Sequence, residues 1–178
     1  MMAQMHAKVE DVAHHATVPP LTILLVCTGN ICRSPMAEVV LREVCARHEL
    51  EGGRRLGDTV AIGSAGTSNW HEGSPMDPRA RLSLDVAGYV GQGTPATQVS
   101  AEQLAGCDLV VALDRGHRGD LRRIAPTSDV SLLRWWSEGI DLDVPDPYYG
   151  DADDFASCLD LIVPGCRALA RALADRLA

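Results

Sequence analysis

Residues 25–35 read LVCTGNICRSP, which puts Cys27 six positions before Arg33. An apolar run precedes the cysteine, and a helical pattern follows the arginine. The five residues between them are enough to wrap a loop around a tetrahedral oxyanion. Gly29 and Asn30 tolerate positive φ, so successive N–H groups of this loop can point inward as an anion-binding nest. The stretch predicts an anion site directly after a strand.

The residues after this loop predict the start of a helix. Ser34 is a common N-cap residue, and Pro35 is favoured at the first helical position. The positive end of such a helix would face the bound anion. Because helix N-termini and neighbouring arginines favour the thiolate form of cysteine, we expect Cys27 to be an ionised nucleophile rather than an inert buried thiol.

Length and charge limit the function classes. The 178 residues fit one domain, and the 46% hydrophobic and 22% charged content is typical of a soluble globular protein. A net charge of −8 disfavours nucleic acid or an anionic membrane surface as partner. No segment is apolar over the length of a membrane span, and residues 1–20 lack the apolar region of a signal peptide. We therefore expect a cytoplasmic protein, although export without a signal peptide is left open by the sequence.

Cysteine spacing predicts a reduced protein without a structural metal. The spacings match no zinc-ribbon pattern, and the chain is long enough not to need disulfides. The six positions are Cys27, Cys32, Cys45, Cys107, Cys158 and Cys166.

The chain has two parts. Residues 1–20 are rich in Met and His and end in two prolines, so we expect a disordered extension. From residue 21 to 178, strand and helix patterns alternate, which predicts one α/β domain with a parallel sheet covered on both faces. The predicted strands are residues 21–26, 59–64, 108–113 and 130–135, and the predicted helices are 34–49, 78–87, 101–104, 116–124 and 153–177. Pro164-Gly165 should kink or divide the last helix.

In parallel sheets, ligands bind beyond the carboxyl ends of the strands. Cys27 follows the first predicted strand directly, so the anion loop lies where this rule expects a ligand.

Five segments resemble the low-molecular-weight protein tyrosine phosphatases, and they occur in the family's order. They are VCTGNICRSPMAE at 26–38, SAGT at 64–67, Trp70, DPRA at 77–80 and DPYYG at 146–150. The resemblance runs from about Leu21 to the C-terminus. It implies a single-domain three-layer sandwich with a four-stranded parallel sheet, hydrolysis of phosphomonoesters, and no metal or other cofactor.

The resemblance also implies roles for three residues. The Cys27 thiolate would attack phosphorus and form a cysteinyl-phosphate. Arg33 would hold two phosphate oxygens bidentately and stabilise the transition state. Asp146 would protonate the leaving phenolate and then activate water. By composition alone several nearby carboxylates compete for this acid role, namely Asp141, Asp143, Asp151, Asp153 and Asp154.

Further family positions surround these three. The phosphate loop, residues 27–34, contributes Thr28, Gly29, Asn30, Ile31, Cys32 and Ser34. Asn30, Ser34 and Ser64 match positions that hold the loop and hydrogen-bond the thiolate. The family often has His-Gly near the end of the helix after Asp-Pro-Arg, where this chain has Ala87-Gly88. Asn30 must therefore find another partner, or water.

Three aromatic residues, Trp70, Tyr148 and Tyr149, are expected to wall a slot suited to a phenyl ring. In the resembling family, a branched apolar residue at Ile31 accompanies phosphotyrosine, whereas the phosphoarginine branch has Thr there. We expect a phosphotyrosine phosphatase whose partners are tyrosine-phosphorylated proteins, a cognate bacterial tyrosine kinase being one candidate. We expect a monomer or weak dimer.

Two other functions compete. A thioredoxin-coupled arsenate reductase also carries the Cys-x5-Arg loop, but it needs a further cysteine pair downstream, where Cys107 stands alone. A non-catalytic phosphotyrosine-binding module would be expected to lack Cys27 or Asp146. Cys32 itself has two interpretations: a small buried residue, or a partner that forms a disulfide with oxidised Cys27 and shields it.

Overall fold

The computed structural model describes residues 20–177. The predicted disordered extension, residues 1–20, lies outside the described residues except for Pro20. The four strands are β1 (Leu21–Cys27), β2 (Val60–Gly66), β3 (Leu109–Ala112) and β4 (Val130–Leu132). All are parallel, in the order β2-β1-β3-β4, so β1 lies inside the sheet. The predicted four-stranded parallel sheet is confirmed.

Helices cover both faces of the sheet. They are α1 (Arg33–Arg47), α2 (Pro78–Val86), α3 (Ala101–Ala105), α4 (Arg115–Ile124), α5 (Trp135–Glu138) and α6 (Ala152–Leu177). Two apolar clusters fill the spaces between the layers, one with residues of α1, α2 and α6 and the other with residues of α3 and α4. The three-layer α/β sandwich is therefore confirmed.

Strand β1 shows why the sequence gives these layers. Ile23 and Leu25 belong to the cluster under α1 and α6, whereas Leu24 and Val26 belong to the other cluster. Successive side chains of a strand point to opposite faces, so a continuous apolar run is what a strand buried on both faces requires.

The register of the sheet gathers the functional segments at one edge. Cys27 pairs with Gly66 of β2, and Val26 pairs with Ala112 of β3. The residues that follow β1, β2 and β3 therefore meet at the carboxyl edge, as expected for an open parallel sheet.

The predicted N-cap of α1, Ser34, is wrong by two positions. The helix begins at Arg33 with Cys32 at the N-cap, and no side chain caps it. Ser34 therefore lies inside the first turn. Its hydroxyl contacts Cys27 Sγ and Asn30 instead of a helix N–H group, so a tertiary contact overrides the local capping preference.

One further prediction fails at its end, and of the two effects expected at Pro164-Gly165 the division of the helix does not occur. The last strand stops at Leu132, and Trp135 begins the short helix α5. The final helix is a single 26-residue element that Pro164 does not divide. A Cβ atom on Gly165 would lie 2.9 Å from the carbonyl oxygen of Leu133, so α6 packs closely against the segment after β4 at this point.

Candidate active site

The phosphate loop is held from outside through its carbonyl oxygens. Three backbone hydrogen bonds do this: Thr67 N to Cys27 O at 2.8 Å, Ser68 N to Thr28 O at 3.0 Å, and Asp77 N to Ile31 O at 2.8 Å. Within residues 20–177, the N–H groups of residues 28–32 donate no hydrogen bond to protein atoms. These N–H groups are the donors that an anion nest needs.

One residue gives the loop its turn. Asn30 has a φ of 56° and is the only non-glycine residue with positive φ in the described chain. Asparagine adopts this left-handed conformation more readily than most residues, because its short side chain can hydrogen-bond locally.

The end of β2 must be a glycine for the loop to pack. A Cβ atom on Gly66 would lie 2.5 Å from the carbonyl oxygen of Thr28 and 3.2 Å from the amide nitrogen of Asn30. Any side chain at this position would push the loop away from the strand.

A buried hydrogen-bond cluster supports the loop from behind. The Asn30 side-chain amide donates to Ser34 Oγ and to Ser64 Oγ, each at 2.9 Å. Its carbonyl oxygen accepts from Thr97 N at 3.0 Å. Ser34 Oγ in turn lies 3.0 Å from Cys27 Sγ. Asn30 is therefore fully partnered by other groups, even though Ala87 stands where related sequences often have histidine.

Arg33 is a buried guanidinium between two carboxylates. Nη1 donates to Asp114 Oδ2 at 2.8 Å and to the Val144 carbonyl at 3.2 Å. Nη2 donates to Asp146 Oδ2, also at 2.8 Å. Nε is buried and has no hydrogen-bond partner. The Nε–Nη2 edge is thus the part of the fork that can turn to a bound oxyanion.

Asp114 and His117 connect Arg33 to Thr28 of the phosphate loop. Asp114 caps α4 by accepting from His117 N at 2.8 Å. His117 is buried, and its Nε2 lies 2.8 Å from the Thr28 hydroxyl. Burial and the charge of Arg33 lower the pKa of His117 from 6.5 to about 4. At neutral pH this histidine is an uncharged hydrogen-bonding group.

The acid loop, residues 143–150, carries Asp146 between two prolines. Val144 anchors it, because its N–H donates to the carbonyl oxygen of Leu113 at 2.8 Å. Asp146 itself is exposed. Its Oδ2 accepts from Arg33 Nη2, and its Oδ1 accepts from Tyr148 N at 3.2 Å. The carboxylate therefore faces both the guanidinium and solvent.

These groups meet in one pocket of about 320 Å³. Ten residues singled out from the sequence line it: Cys27, Thr28, Gly29, Ile31, Cys32, Arg33, Trp70, Asp146, Tyr148 and Tyr149. Asn30, Ser34 and Ser64 do not line the pocket but lie buried behind it.

The rim of the pocket is aromatic and exposed. Trp70 is 76% and Tyr149 97% solvent-accessible. Tyr148 packs edge-on against Tyr149, with ring centroids 5.0 Å apart. Arg79 lies 5.9 Å from the Tyr148 ring and donates to the Gly150 carbonyl at 3.0 Å. Arg79 thus connects the start of α2 to the end of the acid loop.

All six thiols are free. Burial, and secondarily Asp77, raises the pKa of Cys32 well above its usual range. Burial also raises the pKa of Cys45 and Cys158 to about 12. These three cysteines are therefore neutral at physiological pH.

Sequence inspection missed three residues at the site. Asp114 follows a predicted strand just as Cys27 does, so the position rule for parallel sheets could have found it. His71 follows Trp70 and lines the pocket. His117 gives no sequence signal, because its partner Thr28 is 89 positions away.

Between residues 20 and 177, no three His, Cys, Asp or Glu side chains are grouped so that they could hold a metal ion. The same residues form no helix that combines the length and the apolarity needed to cross a membrane.

Comparisons with known proteins agree with this geometry. The sequence model of the family "Low molecular weight phosphotyrosine protein phosphatase" matches residues 22–178. A low molecular weight protein-tyrosine-phosphatase of Streptomyces coelicolor is 46% identical over 162 residues, covering 87% of this chain and 94% of that protein. Low molecular weight protein-tyrosine phosphatase A of Mycobacterium tuberculosis is 45% identical over 163 residues, covering 89% and 95%. The crystal structure of a protein tyrosine phosphatase from Entamoeba histolytica superposes with a TM-score of 0.79 at 29% identity, covering 89% of this chain and 99% of that one.

Proposed function

Since this chain belongs to the low molecular weight phosphotyrosine protein phosphatase family, we propose that it hydrolyses phosphotyrosine through a cysteinyl-phosphate on Cys27. These relatives are protein-tyrosine phosphatases, and the chain is accordingly a phosphoric monoester hydrolase. The observation that carries the finer proposal is that Cys27, Arg33 and Asp146 line the same pocket.

The first step is binding of the phosphate. The free N–H groups of residues 28–32 would donate hydrogen bonds to three of its oxygens, and the N-terminus of α1 adds favourable potential. Arg33 would move its Nε–Nη2 edge from Asp146 to the phosphate. That exchange frees the Asp146 carboxyl for proton transfer, while the hydrogen bond from Arg33 Nη1 to Asp114 remains.

The second step is nucleophilic attack. The Cys27 thiolate would attack phosphorus in line with the leaving oxygen and form an S–P bond, as the P–O bond to the phenol breaks. The Ser34 hydroxyl, 3.0 Å from Sγ, is in place to donate to the thiolate. Arg33 and the loop N–H groups would stabilise the charge on the equatorial oxygens.

Asp146 then serves twice. As an acid it would protonate the leaving phenolate, and as a carboxylate it would take a proton from the water that hydrolyses the S–P bond. Its exposure at the mouth of the pocket suits both steps, because the leaving group departs and water enters on that side.

The shape of the pocket favours an aryl phosphate. Ile31 lies inside the pocket, while Trp70, Tyr148 and Tyr149 form its rim. A phenyl ring can pack between these walls with its phosphate at the loop. The short side chain of phosphoserine would not reach from the rim of the pocket to the loop.

Substrate, compartment and assembly follow as parts of the same proposal. Tyrosine-phosphorylated proteins would be the partners, a cognate bacterial tyrosine kinase among them, and residues 21–178 would form the catalytic domain as a monomer or weak dimer. Six free thiols favour a reducing compartment such as the cytoplasm.

The position of Cys107 disfavours the arsenate reductase alternative. Asp108 N donates to Thr22 O, so Cys107 lies beside the start of β1, whereas Cys27 lies at its end. At about 3.3 Å per residue these positions are roughly 20 Å apart, too far for direct disulfide relay.

The test is steady-state hydrolysis of p-nitrophenyl phosphate and of phosphotyrosyl, phosphoseryl and phosphoarginine compounds. We expect turnover of the two aryl phosphates and little of the others. Cys27→Ser should abolish it, and Asp146→Ala should slow phosphotyrosine hydrolysis by about 10² to 10⁴. Unchanged rates for Cys27→Ser would refute the mechanism. A preference for phosphoarginine would refute the substrate class alone.

A further inference from the structure

Glu38 is a charged group in an unusual place. Its side chain is 0% exposed, although it lies on α1 among apolar residues. Its carboxylate accepts from Ser64 Oγ, from Thr94 N at 3.3 Å and from Thr94 Oγ1 at 3.2 Å. A buried carboxylate is costly unless it is both hydrogen-bonded and paired with a cation.

Within the described residues, the cation that pairs with Glu38 is Arg42. Its Nη2 lies 2.7 Å from Glu38 Oε1, one helical turn away. The same guanidinium donates to the Ile62 carbonyl from Nε at 3.1 Å and from Nη2 at 2.6 Å. The side chain is 44% exposed and takes no part in lining the pocket. Arg42 therefore brings a positive charge from the surface to a buried carboxylate and ties α1 to β2.

Glu38 connects to Cys27 through a series of hydrogen bonds, and the direction is defined in all but the last. Because Ser64 donates its proton to Glu38, its lone pairs accept from Asn30. The second N–H of the Asn30 amide donates to Ser34. The single hydroxyl proton of Ser34 then has two acceptors within reach, the Ala65 carbonyl at 3.3 Å and Cys27 Sγ at 3.0 Å. A charged thiolate is the stronger acceptor of the two, so Ser34 donates to Cys27 when the sulfur is ionised. The cluster thus runs from a fixed acceptor at Glu38 to a donor at the nucleophile.

We propose that Arg42 is a positioning residue for Cys27: by compensating Glu38 it keeps this hydrogen-bond cluster in the direction that lets Ser34 donate to the nucleophile. Without that charge, the buried Glu38 carboxylate would draw in water. A water molecule there gives the cluster a competing donor at its buried end and loosens Asn30, whose left-handed conformation depends on these contacts. The inference rests on the proposed role of Cys27.

The chain offers a matched control. Arg47 also lies on α1 and pairs with Glu43 at the same i,i+4 spacing, but Glu43 keeps 17% of its side chain exposed and the pair is far along the helix from the loop. Arg42→Leu and Arg47→Leu each remove an i,i+4 ion pair from the same helix, and only Arg42 compensates a carboxylate that is fully buried. Arg42→Leu also removes the hydrogen bonds to the Ile62 carbonyl, a loss that the double variant below shares.

The experiment measures the reactivity of Cys27 directly. Each variant is treated with iodoacetamide at the same fixed pH, and the adduct on Cys27 is quantified by fragment mass spectrometry. kcat and KM for p-nitrophenyl phosphate and the unfolding temperature are measured alongside. We expect Arg42→Leu to slow alkylation and kcat about tenfold, the worth of one hydrogen bond to a charged group, with little change in KM. Arg47→Leu should match the wild type.

A double variant separates charge compensation from simple destabilisation. Arg42→Leu/Glu38→Gln removes the charge together with its partner but keeps an amide acceptor for Ser64, so we expect alkylation to recover by at least half. If Arg42→Leu folds and alkylates at the wild-type rate, the inference is wrong. The inference is also wrong if Arg42→Leu does not fold and the double variant folds but its Cys27 alkylation stays slow. A wild-type chain that lacks phosphatase activity would refute the proposed function, and alkylation would still decide the role of Arg42.

Discussion

His117 should make the folded protein sensitive to acid in a range where most carboxylates are still ionised. Its pKa is lowered to about 4, first by burial and then by Arg33, while Asp114, Asp146 and Asp143 act in the opposite direction without cancelling the effect. In the unfolded chain the pKa returns to about 6.5. Between these two values the unfolded chain binds more protons than the folded one, so stability falls as pH decreases.

The size of the effect follows from the two pKa values. Between pH 7 and pH 5 the free energy of unfolding should drop by about 2 kcal/mol through His117 alone, approaching about 3 kcal/mol near pH 4. Carboxylates such as Asp77 and Asp143, whose pKa values are lowered by hydrogen bonds from arginines, contribute only at lower pH. Their contribution is also common to any His117 variant.

The assay is urea unfolding at a series of pH values for wild type and His117→Gln. Glutamine can still reach the Thr28 hydroxyl but does not titrate, so the difference between the two curves isolates the histidine. We expect the wild type to lose about 2 kcal/mol more than the variant between pH 7 and pH 5. Parallel curves over this range would refute the reasoning, because His117 would then titrate alike in the folded and unfolded chains.

Three further predictions concern the site. Asp114→Asn should lower kcat about tenfold, because Arg33 loses a charged hydrogen bond that fixes its fork; steady-state kinetics with p-nitrophenyl phosphate checks this, and an unchanged kcat would contradict it. Gly66→Ala should displace the phosphate loop and cost about 1–3 kcal/mol together with most activity, whereas Gly63→Ala, with its nearest atom at 3.9 Å, should do neither. Peroxide inactivation should be reversed by dithiol in the intact protein, and a Cys32→Ala variant that recovers equally well would rule out a protective disulfide.

The parts of the site that the sequence predicts are those with local causes. The phosphate loop needs a fixed number of residues between Cys27 and Arg33 and a residue that accepts positive φ at Asn30. The apolar run of β1 and the alternation of strands and helices are equally local. These features predict the sheet, the loop and the edge of the sheet where ligands bind.

The failures have tertiary causes. Serine is a favoured N-cap residue, but the Ser34 hydroxyl contacts Cys27 and Asn30 instead of capping, and the helix starts earlier. Glu38 looks like an ordinary helix residue until the fold brings Ser64 and Thr94 to it from other segments. Contacts between distant segments decide these positions, and no local pattern records them.

Detection of a phosphoryl group on Cys27 would test the cysteinyl-phosphate mechanism most directly. Asp146→Ala should be mixed with p-nitrophenyl phosphate, whose leaving group needs little acid assistance, and quenched rapidly in denaturant. Loss of the general base should slow hydrolysis of the intermediate, so mass spectrometry is expected to find one phosphoryl group on Cys27 and none in a Cys27→Ser control. Turnover without phosphorylated Cys27, or a phosphoryl group on another residue, would contradict nucleophilic catalysis by Cys27.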